Sequence, residues 1–244
     1  MISRKARVMI GLAGLLLLAL PASAQRYRRY SYDEYHDDGE FRIHLGSFRP
    51  DGSSDYWRSI RGDFTNADPS DFEDVSFGID YLLPIHDQVS VIFSGSWYEG
   101  TSTNAYRNYL DNFNNRIRHD TTLDVASATV GLHFYLLPRR AAIQPYVAVG
   151  GGIYPWRLQE RGDFIDFGNS TLPIFHSHLS SSGTAFGYYG LVGLKAPITR
   201  RGRVSIFAEG RWTRVKDDLK DDFEGFGKLD LGGREIAAGL SWRL

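Results

Sequence analysis

VSFGIDYLL (Val75–Leu83), PIHDQ (Pro84–Gln88) and VSVIFSGSW (Val89–Trp97) follow one another without interruption. In the first segment Val75, Phe77, Ile79, Tyr81 and Leu83 share one face, and Ser76, Gly78 and Asp80 share the other. In the third, Val89, Val91, Phe93 and Trp97 oppose Ser90, Ser94 and Ser96. A period of two is the pattern of a strand with one apolar and one polar face. Two such runs joined by five residues predict an antiparallel hairpin with a short turn.

The same pattern recurs outward from this hairpin. A strand is predicted over 41–48, with Phe41, Ile43 and Leu45 alternating with Arg42, His44 and Gly46. After the hairpin, a strand near 122–136 sets Ala128, Val130, Leu132 and Phe134 against Thr129, Gly131, His133 and Tyr135. Its early residues Leu123 and Val125 have the opposite parity, which predicts a bulge near Ala126 or weaker pairing there. Further strands are predicted over 144–154, 184–195, about 204–212 and 235–244, which makes eight. The Gly150–Gly152 run inside one of them predicts sharp curvature or a close backbone approach.

Connection lengths alternate. Pro84–Gln88, Leu137–Ala142 and Pro197–Gly202 are short, whereas Pro50–Asp74, Glu99–Thr121, Pro155–Gly183 and Arg214–Leu231 are long. Long connections therefore gather at one end, as in outer-membrane barrels. A soluble lipocalin-type barrel also has eight strands. Against it stand the small Gly, Ser, Ala and Thr residues of the polar face, which suit a crowded interior. Tyr81, Trp97, Trp212 and Trp242 on the apolar face suit an aromatic girdle. The expected fold is all-β, an eight-stranded antiparallel up-and-down transmembrane β-barrel.

Ahead of it, Arg4, Lys5 and Arg7 precede an apolar run from Val8 to Leu20 and the small-residue segment Pro21–Ala24. That is the pattern of a cleaved export signal, so the mature chain is expected to start at Gln25. The expected division is 1–24 signal peptide, 25–40 polar lead-in with Tyr27, Tyr30, Tyr32 and Tyr35, and 41–244 barrel. Without Arg4, Lys5 and Arg7, the 28 basic residues become 28 − 3 = 25 against 29 acidic ones, which argues against a nucleic-acid partner. With no cysteine, disulfides and thiolate metal sites are excluded.

The chain resembles the small outer-membrane β-barrel proteins, the broad group containing the OmpA-like transmembrane domain and the OmpW-like barrels. The likeness rests on Gln144–Gly152 entering a strand, Glu209-Gly210-Arg211-Trp212, and a terminal strand, and it covers Phe41–Leu244. Such proteins more often end in Phe, where this chain has Leu244; Trp242 is the nearby aromatic. The resemblance implies the outer membrane as location, and membrane lipids, lipopolysaccharide and the barrel-assembly machinery as partners. The group includes adhesins, minor channels, structural proteins and a few enzymes.

If the polar face points inward, Arg42, Asp80, Lys195, Glu209, Arg211, Glu235 and Arg243 enter the lumen. Unpaired charges there would be costly, so Glu209 and Glu235 are expected to pair with arginines of adjacent strands. Such a network fills an eight-stranded lumen. The expected role is structural or surface-interacting through the long loops, without catalysis, cofactor or metal; a narrow channel for small or hydrophobic solutes is the alternative.

His176-Ser177-His178-Leu179-Ser180 loosely resembles the His-x-Ser element of lipid A deacylases, but it is placed in a loop with no acid to orient the histidine. Arg61-Gly62-Asp63-Phe64 and Arg161-Gly162-Asp163-Phe164 repeat an adhesion-like tetrapeptide, for which Gly-Asp turn chemistry is the simpler account. Asp217, Asp218, Asp221, Asp222 and Glu224 lack a calcium-loop spacing and are interrupted by Lys216 and Lys220, as a solvated surface would be.

Overall fold

A computed structural model describes residues 39–138, 141–199 and 202–244. The expected signal peptide and nearly all of the lead-in lie outside the described residues. In chain order the elements are β1 (Glu40–Pro50), α1 (Asp55–Asp63), β2 (Phe64–Thr65), β3 (Asp74–His86), β4 (Val89–Leu110), β5 (Arg116–Tyr135), β6 (Gln144–Ile165), β7 (Ile174–Pro197), β8 (Val204–Asp218), β9 (Lys228–Asp230) and β10 (Gly233–Arg243).

Eight of the ten strands form a closed ring in the order β10-β1-β3-β4-β5-β6-β7-β8, with β10 pairing both β1 and β8. All pairs are antiparallel, and closure leaves no free edge among the ring strands. The small strands β2 and β9 attach to β4 and β8 outside the ring order.

The face assignments hold along every ring strand. Phe77, Ile79, Phe93, Val130, Val149, Phe186, Val192 and Ile236 are exposed on the outside, while Arg42, Asp80, Ser94, His133, Lys195 and Glu209 are buried within. Gly150 needs its missing side chain. A Cβ there would stand 2.7 Å from the Tyr189 ring and 2.8 Å from Gly131 Cα, so this part of the run serves a close approach.

Two expected long loops are strands instead. β4 and β5 continue to a turn at 111–115, and β6 and β7 to a turn at 166–173, each far beyond the roughly 9–11 residues a barrel strand needs to cross a bilayer. From Glu99, Asp124 and Arg157 the outward residues become polar. Inward, Tyr98, Leu123, Val125, Trp156 and Leu158 are buried in one apolar core. The opposite parity of Leu123 and Val125 is therefore an inversion of polarity at constant alternation. The β4–β5 register runs unbroken from Val89 to Ala105, so no bulge occurs on that side. Toward β6 the ladder lapses at Ala126 and Ser127, opposite Tyr154 and Pro155, and proline has no N–H to donate.

The connection 51–73 is not a plain loop either. Asp55 starts the nine-residue α1, and Arg61 closes it by donating to the carbonyls of Trp57 at 2.9 Å and Gly52 at 3.0 Å. Tyr56, Trp57 and Ile60 form its buried stripe, and Trp57 Nε1 donates to the Asp230 carbonyl at 3.1 Å. The helix therefore docks on the apolar core of the upper wall and caps it.

Candidate functional site

The lumen of the membrane-spanning part is crossed by side chains from opposite walls. Arg42 on β1 donates to Tyr146 Oη on β6 at 3.1 Å, and these strands are four apart in either direction around the ring. Arg42 also pairs with Glu209, which accepts from Tyr146 at 2.8 Å. Asp80 on β3 lies 3.6 Å from Arg42, 3.8 Å from Arg211 and 3.5 Å from His44. Beneath the Arg42 guanidinium, at 3.7 Å, is the Phe207 ring, and the Arg211 guanidinium stands 4.9 Å from the centre of Tyr189.

A second cluster sits toward the short-turn end. Lys195 on β7 pairs with Glu40 on β1 and donates to Tyr135 at 3.1 Å. Arg243 is directly across from Glu40 in the β1–β10 register. Glu40 falls outside the predicted barrel and is missing from the predicted network, yet it is 6% exposed and brings the named set to four charges of each sign.

The expected adjacent-strand pairing is thus corrected for Glu209. Glu209 reaches Arg42 past the intervening β10, and its 3.5 Å contact with Arg211 is within one strand. Glu235 accepts a hydrogen bond from Ser76 and faces Arg211 in the β8–β10 register. The reason is size: an eight-stranded interior is narrow enough for long side chains to meet across it. Tyr146, Tyr135 and Tyr189 complete these clusters; their inward parity was readable, their partners were not.

Of the aromatic residues proposed as a girdle, Trp97 and Trp212 stand outward at the edge where the polar wall begins, beside Glu99 and Arg214 in sequence. Trp242 lies near the opposite edge, its ring 6.3 Å from Phe41. Tyr81 is also across from Phe41, in the β1–β3 register, and Leu83 and Ile85 follow it outward.

A closed eight-stranded wall, apolar outside and charged inside, is now in view, and solved structures share it. Neisserial surface protein A aligns at 13% identity over 84% of this chain and 97% of that one, with a TM-score of 0.50. The outer membrane protein OprG from Pseudomonas aeruginosa aligns at 14% identity over 86% and 97%, with a TM-score of 0.51. The chain has the small outer-membrane β-barrel fold. No family model and no curated protein sequence matches it.

This barrel carries a second site in its upper part. A cleft of about 570 Å³ lies between α1, the β4 and β6–β7 tips and the short helical turn at 221–223. Tyr56, Phe64, Tyr106, Phe164, Phe175 and Phe223 contribute to its lining, and Glu160 is the acid at its floor. Glu160 is 6% exposed; it accepts from Tyr56 at 2.7 Å and lies 3.9 Å from His119 Nε2. Burial pushes its carboxyl up to about 7, with the Tyr56 hydrogen bond opposing, and burial pushes His119 down to about 4. The His119 ring stacks on Phe164 at 5.0 Å and meets Phe64 edge-on at 4.6 Å. Of these residues, the sequence reading had named only Phe64 and Phe164, as the ends of the repeated tetrapeptide. A lone Glu and His in a predicted loop give no signal until the fold buries them together.

The other sequence motifs resolve into regular structure. His176–Ser180 lies on β7, not in a loop, because its alternation continues the strand. His176 Nδ1 stands 3.1 Å from Asp163, an acid partner the sequence reading did not foresee, while Ser180 gives its N–H to Asp222. Arg61–Asp63 closes α1 and Arg161–Asp163 is part of β6, so neither tetrapeptide forms an isolated turn.

Proposed function

We propose that the protein is an integral outer-membrane barrel that does not conduct, with a structural or surface-interacting role and no catalysis. The carrying observation is the Arg42–Tyr146 hydrogen bond between opposite walls, tied on both sides by Glu209. An aqueous path would have to break these buried contacts, and a buried charge stripped of its partner costs about 3–5 kcal/mol. Above them, α1 and the apolar core close the other end.

The outward belt gives the membrane lipids their contact surface, and the short turns face the periplasm. Lipopolysaccharide and the assembly machinery are the partners this placement requires. The surface role then falls to the upper wall, α1 and the turn at 111–115.

Planar-bilayer recording of the refolded chain from Gln25 onward, with circular dichroism confirming a β-rich fold, tests the proposal. Silence is expected from the folded barrel. Steady unitary current would replace this reading with the narrow channel.

A further inference from the structure

The upper cleft has an unusual combination of wall and charge. Its floor and sides are aromatic, and Phe167, Phe175 and Phe226 remain 56%, 45% and 46% exposed around it. Soluble surfaces rarely leave so many large rings together unless they bind something. The volume of about 570 Å³ is within the range of small-molecule sites.

Its ionisable lining is of one sign. Asp63, Glu160 and Asp222 contribute to it, with no Lys, Arg or His lining it among the described residues. Aromatic faces are electronegative, and organic cations are attracted to them. A buried acid at the floor supplies the matching counter-charge. Asp63 and Asp222, both exposed, add to the field that draws a cation in.

We infer that the cleft binds an organic ammonium ion carried on an apolar alkyl or aryl body, the body against the rings and the ammonium beside Glu160. The inference rests on the surface-interaction reading and names the ligand class for it.

The neighbours of Glu160 leave the role of counter-ion open. Tyr56 from α1 holds one carboxyl oxygen, and Tyr106 from β4 lines the same space. His119 from β5 is too far, at 3.9 Å, for a hydrogen bond to the second oxygen, and its burial keeps it neutral. An arriving ammonium therefore favours the ionised carboxylate and displaces its proton to solvent. Affinity should rise with pH up to about 7, where Glu160 ionises by itself, and level off above.

Phenethylamine is a suitable probe, with 2-phenylethanol as its uncharged analogue. Isothermal calorimetry on the refolded full barrel in zwitterionic lipid nanodiscs should give saturable binding of the amine, at least about tenfold tighter than the alcohol, with proton release at pH 6. Glu160→Gln keeps an acceptor for Tyr56; it should weaken the amine about tenfold, abolish the proton release and leave the alcohol unchanged. Phe175→Trp, which narrows the cleft from an exposed position, should weaken both. Equal affinity for the two probes, or amine binding and proton release unaltered in Glu160→Gln, would overturn the inference. Failure here with silent bilayers removes only the ligand class, whereas amine binding by a conducting barrel removes only the non-conducting reading.

Discussion

The membrane-spanning and upper parts of this barrel use the same strands with opposite chemistry. Along β5, Leu132 and Val130 face outward in the lower part, whereas Leu123 and Val125 face inward in the upper part. The alternation between them never slips against β4. What changes is the solvent outside the wall. Lipid favours an apolar exterior and leaves polar side chains to satisfy one another within; water favours the reverse, and an ordinary apolar core results. One continuous wall therefore obeys two rules of burial, and the line through Trp97 and Trp212 is where they exchange.

The comparison can be broken most forcefully in the lower lumen. Arg42→Ala leaves the buried Asp80 and Glu209 carboxylates with only Arg211 beside both of them, and should destabilise the barrel by about 3–5 kcal/mol in urea titrations in lipid. A loss below about 1 kcal/mol would mean that water already solvates the lumen. In the upper core, Leu158→Ala should cost about 3 kcal/mol through cavity formation. Hydrogen exchange should place that loss in the upper wall and α1, with amides of the membrane belt still protected. Uniform loss of protection would instead make the two parts one cooperative unit.

The exterior gives a more direct contrast. Leu132→Arg, on the lipid-facing wall, should cost about 2–4 kcal/mol, whereas Thr101→Arg, on the same outer side above the belt, should stay within about 0.5 kcal/mol. Similar costs at both positions would move the boundary between the two regimes.

The smallest effect is in pH dependence. Glu160 is raised in the fold from 4.5 to about 7, so the folded state holds the extra proton and the upper part loses stability as pH rises through that window. His119 is lowered from 6.5 to about 4, so the unfolded chain holds the extra proton and stability is lost as pH falls from 6.5 toward 4. The opposing slopes should nearly cancel between about 4.5 and 6.5 in the native protein. Glu160→Gln should expose the histidine slope, with stability rising with pH there. An unchanged profile in that variant would show that burial perturbs neither group.

Strand parity was legible because side chains alternate strictly, so inward Arg42, Asp80, Lys195, Glu209 and Arg211 could be named from position alone. The upper strands were not. Their outward residues, such as Thr101, Thr103, Arg118 and Asp120, are polar, and their inward ones mix Tyr106, His119 and Thr121, so the segments read as loops. The nine residues of α1 are too few to establish a helical period against that background.

By itself, then, the sequence determined the number of membrane strands, their facing and the ends at which the connections cluster, since each follows from local alternation and turn spacing. Only the tertiary structure decided which charges meet across the lumen, that Glu40 belongs with them, and that Glu160 and His119 share an aromatic cleft. Those facts depend on ring closure and strand stagger, which bring residues more than a hundred positions apart into contact and leave no periodic trace in the chain.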